Sequence, residues 1–192
     1  LSLYKETFKE TNSDAMMNIN KTFNDFNITA NLGGAYRSER DEGITVLSGR
    51  LALPGLLSIS NGKDIQAEQL YSYKEVHSVL GNVQVGFRNM LYLDITGRND
   101  WSSTLPKNNR SYFYPSASLS GIVSEMIKLP KWIDFLKVRG SWAKVGNDTD
   151  PYKLKAINYV FSMLSTTVSS VSLDLPSLTL KPESTKSYET GI

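Results

Sequence analysis

Apolar and polar side chains alternate along most of this chain, in runs that are long for strands. From Leu91, residues Leu91, Leu93, Ile95 and Gly97 fall in one phase and Tyr92, Asp94, Thr96 and Arg98 in the other. After a polar interval the alternation resumes, with Phe113, Pro115, Ala117, Leu119, Gly121 and Val123 set against Tyr112, Tyr114, Ser116, Ser118 and Ser120. Together these runs predict a hairpin. Further strands are predicted from Asp14 (Ala15, Met17 and Ile19 in phase), through Phe26, Ile28, Ala30, Leu32 and Tyr36, over Tyr71 to Phe87, and from Phe135 through Leu136, Val138, Gly140 and Trp142. A last strand starts near Ser184. Strict alternation over ten or more residues exceeds the five or six usual in soluble proteins and suits a tilted strand crossing a bilayer.

The phase of one strand sets a height. Val79, Gly81, Val83, Val85 and Phe87 are clean, whereas Glu75 and His77 occupy the same phase further up. Nine residues, tilted as barrel strands tilt, rise roughly 25 Å, about the height of a lipid-facing band. On that reading Arg in place of Val83 is costly and Arg in place of Val76, on the other face, is cheap.

The connections sort by length. They are short at 22–24 and 88–90, compact at 125–134, intermediate at 99–111, and long at 37–69 and 147–183, the last with a Ser/Thr-rich stretch suited to a hairpin. Residues 1–13 show too little pattern for an element and read as the end of a loop. Short and long alternate, as they do where every second turn of a membrane barrel is minimal. The fold class expected is all-β: a segment of a large antiparallel transmembrane β-barrel, with seven or eight strands.

Composition changes this picture little. The 192 residues carry a formal charge of +2 spread without a basic run, which gives no footprint for nucleic acid. Cysteine is absent, so there are no disulfides or thiolate metal sites. No window approaches a transmembrane helix, and the first residues lack the regions of a signal peptide. The chain starts without Met and stops within a strand pattern, so it reads as a fragment.

The wording of the hairpin, TGRNDWSSTLPKNNRSYFYPSASLS, resembles the barrel signature of SusC/RagA-type TonB-linked outer-membrane transporters. LPKWIDFLKVRGSWAKVGNDTDPY and LKPESTKSYETGI match further on, in the family's order. The signature positions are Gly97, Arg98, Asn99, Asp100, Trp101, Tyr112, Tyr114 and Pro115. The resemblance implies a partial barrel domain over 1–192, within about twenty-two strands, with long extracellular-type loops near 37–69 and 147–183. It further implies an outer-membrane protein of a Gram-negative bacterium that imports oligosaccharides or peptides with a SusD-like lipoprotein. TonB would act through a plug outside this segment. It implies no enzyme and no cofactor.

Several groups carry competing readings. Asp94, Arg98, Asp100 and Arg139 are candidate lumen-facing charges; Arg98 and Asp100 line the path or contact the plug, or else form a salt-bridge ladder that holds register, the reading favoured here. Trp101, Tyr112, Phe113 and Tyr114 form a platform for sugar or peptide, or, as favoured, an interfacial girdle. Residues 146–151, GNDTDP, offer hard oxygen ligands, but turn chemistry explains them without calcium. His77 has no second histidine or cysteine with which to bind zinc. A soluble β-sandwich that binds carbohydrate is the alternative for the whole chain; it requires a second sheet packed on the apolar face.

Overall fold

In the computed structural model, residues 1–154, 177 and 179–192 are described in full and 158–163 and 166–171 by their backbone. Among the described residues, β1 (Ser2–Phe23), β2 (Phe26–Leu47), β3 (Gln66–Phe87), β4 (Leu91–Ser102), β5 (Ser111–Ile122), β6 (Lys137–Asn147) and β9 (Glu183–Gly191) form one antiparallel sheet in that order. β7 (Asn158–Met163) and β8 (Thr166–Val171) pair separately, placing the expected hairpin in the Ser/Thr-rich stretch. One helical turn, α1 (Val123–Met126), follows β5.

Register decides which residues share a face, because directly paired residues project to the same side. Leu93 pairs Leu119, Ile95 pairs Ala117, and Gly121 pairs Val138, so the apolar phases of three strands coincide. That face is uncovered: Leu32 is 55%, Ile95 51% and Leu119 51% exposed, and among the described residues only Val76 and Leu105 are buried hydrophobics. A soluble chain of this size buries most of its apolar surface. The sandwich alternative requires a second sheet on this face, and among the described residues none covers these side chains.

Two rows of rings bound the apolar face. At one end Phe26 lies beside Phe87, ring centroids 4.9 Å apart, in register with Leu91. At the other, Tyr36 pairs His77 and His77 pairs Trp101, with the Tyr36 and His77 rings 5.1 Å apart. From Phe26 to Tyr36, Phe87 to His77 and Leu91 to Trp101 is ten residues each. At barrel tilt that separation is roughly 26 Å, a hydrocarbon thickness as outer-membrane barrels present it.

Several expected boundaries move. Residues 1–13 are not a loop but the first half of β1, and nearly half of 37–69 is strand: β2 runs to Leu47 and β3 starts at Gln66, leaving 48–65 as the connection. There Asn61, buried, bonds the backbone of Leu53 and Leu56 and holds the Pro-Gly turn. Beyond the aromatic row neither face meets the apolar surroundings of the band, so the alternation lapses while the backbone ladder continues. Val123 lies in α1 rather than in β5, and β6 starts at Lys137 rather than Phe135. Val76 is buried at 9% exposure, so it would not tolerate Arg as expected.

The turns at 24–25 and 88–90 share one end. Asn24, Arg88 and Asn89 take positive φ, which closes these hairpins tightly. The Arg88 N–H donates to the Asp25 carbonyl at 2.8 Å, and its guanidinium meets the Asp25 carboxylate at 2.8 Å. The β5–β6 connection, 123–136, lies at this end and is longer than the 103–110 connection opposite, so the alternation of short and long breaks at that hairpin.

Two open edges and an uncovered apolar face dictate behaviour in water. The 192-residue chain alone should aggregate without detergent, which sedimentation velocity measures directly; a sharp monomer boundary with a cooperative melt would mean that the face is covered.

Candidate functional site

The face opposite the apolar one is hydrogen-bonded from strand to strand. Asn18, Asn31 and Asn82 stand in register on β1, β2 and β3, with Asn18 donating to Asn31 and Asn31 donating to Asn82 at 3.0 Å. Thr96 and Ser116 continue the row by sharing a hydroxyl bond, and Gln84 donates to Asp94 at 2.7 Å. Short polar side chains suit this row because each reaches its neighbour across the strand spacing.

Toward the end with the long connections the polar face becomes charged. The Arg98 Nε donates to Asp100 Oδ1 at 2.8 Å and Nη2 to the Ser78 hydroxyl at 3.0 Å. Tyr114 donates to the other Asp100 oxygen and stacks on Tyr112, centroids 5.8 Å apart. Asp100 and Ser78 are each 5% exposed. Arg98 and Asp100 thus form an ion pair within β4, and the bonds that cross to the neighbouring strands are those to Ser78 and Tyr114.

Of the candidate charges, Asp94, Arg98, Asp100 and Arg139 share the polar face, since Asp94 aligns with Ser118 and Ser141 and Arg139 stands two residues from Ser141. Only Arg98 and Asp100 meet. The aromatic cluster divides: Trp101 and Phe113 lie on the apolar face as a girdle requires, but Tyr112 and Tyr114 lie on the polar face. Gly97 sits beneath Phe113, where a Cβ would come 3.0 Å from the ring, and Asn99 bonds Ser111 at 2.9 Å. The His77 ring meets Tyr36 at a tilt of 55°, with Glu75 3.6 Å away.

Sequence reading missed a second cluster. Asp148, just past β6, accepts from Lys74 of β3 at 2.6 Å and from the Ser102 hydroxyl at 2.5 Å, while Ser102 shares a 2.9 Å bond with Thr104. The Asp148 side chain is 6% and the Lys74 side chain 21% exposed. Ser103 exchanges bonds with the Glu75 backbone beside it. The oxygen of GNDTDP that looked available to calcium is thus held by an ammonium and a hydroxyl. Among the described residues no three His, Asp or Glu side chains converge. Further out, Arg37 bridges Glu10 at 3.2 Å and Glu39 at 2.6 Å, and burial, then the adjacent Glu6, holds the Asp41 carboxyl above its ordinary range.

Removing one partner of a buried ion pair leaves the other uncompensated. Asp148→Ala should destabilise the folded protein by about 3 kcal/mol, the low end for buried pairs because Lys74 retains some water. A double-mutant cycle with Lys74→Met, read by denaturant unfolding in lipid, should recover much of that loss; additive effects would remove the pair's role.

Residues 3–192 match the family described as TonB dependent receptor-like, beta-barrel. TonB-dependent receptor P3 of Formosa agariphila is 26% identical over 199 residues, covering 98% of this chain and 20% of that protein. Among solved structures, one titled as the RagAB peptide transporter superposes with a TM-score of 0.82 at 21% identity, over 98% of this chain and 22% of that one. The RagAB peptide importer in its open-open state gives 0.74 at 22% identity, with the same coverage. The chain therefore spans about a fifth of the length of these relatives. The sheet, its two-faced register and the match over almost every residue agree with the SusC/RagA-type resemblance of the hairpin, and the chain belongs to the TonB-dependent receptor-like β-barrel family.

Proposed function

We propose that this chain forms part of the barrel wall of a TonB-dependent transporter in the outer membrane of a Gram-negative bacterium. The transporter imports oligosaccharides or peptides with a SusD-like surface lipoprotein. The observation that carries the proposal is the uncovered apolar face between two rows of rings ten residues apart. Lipid is the surroundings such a face fits, and the polar face with Asp94, Arg98, Asp100 and Arg139 then lines the lumen. The tight turns at 24–25 and 88–90 face the periplasm and the long connections the exterior. The structural likeness to a protein titled as a peptide transporter supports peptides as the first cargo to test. No residue is assigned a catalytic role.

Transport is tested in the producing bacterium by deleting the whole gene and, separately, tonB. Uptake of labelled oligopeptides or oligosaccharides should fall to background in both strains and return on complementation; uptake unaffected by either deletion refutes the proposal.

The membrane placement has its own test. Val83→Arg, on the apolar face near mid-band, should cost about 2 to 4 kcal/mol in refolding from denaturant into lipid. Gln84→Arg, on the other face beside Asp94, should stay within about 1 kcal/mol. Equal small costs at both positions would place the sheet in water.

A further inference from the structure

The sheet parts between β5 and β6. Their pairing runs from Ile122↔Lys137 to Ser116↔Ala143 and stops, and the next residue of β5 is Pro115, which has no N–H to donate. Above that point a cavity of about 240 Å³ opens, lined on the β5 side by Asn109, Ser111 and Tyr112 and opposite by Lys144, Lys181 and Ser184. Its wall is held in place: the Asn109 amide donates to the carbonyls of Thr179 at 3.3 Å and Leu180 at 2.9 Å, immediately before Lys181 and Pro182.

The charges here are unbalanced. Lys144 stands directly opposite Lys186 in the β6–β9 register, a like-charged pair that destabilises a sheet. Among the described residues none of Lys144, Lys181 and Lys186 makes an ion pair, in contrast to Lys74, Arg37, Arg40, Arg88 and Arg98. The lining holds two ammoniums, Lys144 and Lys181, against one carboxylate, Glu183, a surplus of one positive charge, and Lys186 stands outside it opposite Lys144. A phosphate monoester carries about −1.5 to −2 near neutral pH and offers acceptor oxygens to ammonium, hydroxyl and amide donors together.

We propose that the cleft between β5 and β6 binds a phosphate monoester, with Lys144 and Lys181 as its charged contacts and Ser184 and Tyr112 as supporting donors. The group comes from a lipid headgroup or from a soluble phosphate ester, and both present the same chemistry to these residues. Lys186 adds to the field from the neighbouring strand, and the bound dianion offsets its repulsion with Lys144. Tyr112 brings the cleft to the edge of the polar face, and binding there is read by a measurement separate from transport.

The test uses the full-length protein in phosphatidylcholine nanodiscs, as wild type, K144Q/K181Q and K144R/K181R. One arm adds phosphatidic acid to the nanodiscs and counts retained lipid by native mass spectrometry. The other titrates glucose 6-phosphate calorimetrically. Wild type should bind in one arm, K144Q/K181Q should lose about tenfold or more there, and K144R/K181R, which keeps both charges, should stay within about threefold. The arm that responds identifies the source of the phosphate. Equal binding by wild type and K144Q/K181Q in both arms, or no binding by wild type in either, overturns the proposal; normal assembly of the Arg variant separates loss of charge from loss of fold.

Discussion

The backbone ladder that links β1 to β9 is the constraint to which everything else conforms. In hydrocarbon no water can accept from an N–H or donate to a C=O, so each strand must give its polar groups to its neighbours. Seven antiparallel strands do this here, each beside the next in sequence except where β6 passes over β7 and β8 to reach β9. Groups left without strand partners lie along the outer edges of β1 and β9 and where β5 and β6 part. Closing those edges takes more strands of the same kind, as the coverage of the relatives implies.

Once the ladder supplies the backbone bonds, side chains need only divide by face. The apolar side asks for little packing, which is why Gly97, Gly121, Gly140 and Pro115 can stand among Leu, Ile and Val. The polar side is where side chains find specific partners: a row of Asn, Thr and Ser at mid-height, then Arg98 with Asp100, then Lys74 with Asp148. The deeper the carboxylate is buried, the more its partner matters, because an unpaired buried charge costs far more than a pair contributes. Asp148 and Asp100 are the two in that position.

What was legible in the sequence follows from these forces. Leu93 and Leu119 could be placed on one face because lipid imposes a period of two, and the tight turn at 88–90 could be placed because the phase breaks there. The first half of β1 and the outer parts of β2 and β3 were illegible for the complementary reason. With no apolar environment to face, Lys5, Glu6, Lys9 and Glu10 carry no period although their backbone remains in the ladder. Tyr112 and Tyr114 were grouped with Trp101 and Phe113 by proximity, yet alternation itself puts them on opposite faces; weighing phase above clustering would have separated them. The Lys74 to Asp148 contact spans 74 positions and leaves no local signal at all.

Pro115 connects the parts of the molecule that depart from a regular sheet. Because it cannot donate, β5 releases β6 after Ser116, and the freed upper part of β6 carries Gly146 beneath Tyr112, where a Cβ would come 2.7 Å from the ring. A side chain there would drive Tyr112 off Tyr114, whose hydroxyl holds Asp100. Two residues on, Asp148 crosses to Lys74 and fixes the departing chain to β3, so the strand that lost its neighbour regains a tether through a side chain. The ladder's interruption is thus compensated on the polar face by an ion pair, and between β5 and β6 it leaves an open, positively charged cleft. A proline in mid-strand therefore acts here as the point where the wall stops being uniform and can carry features of its own.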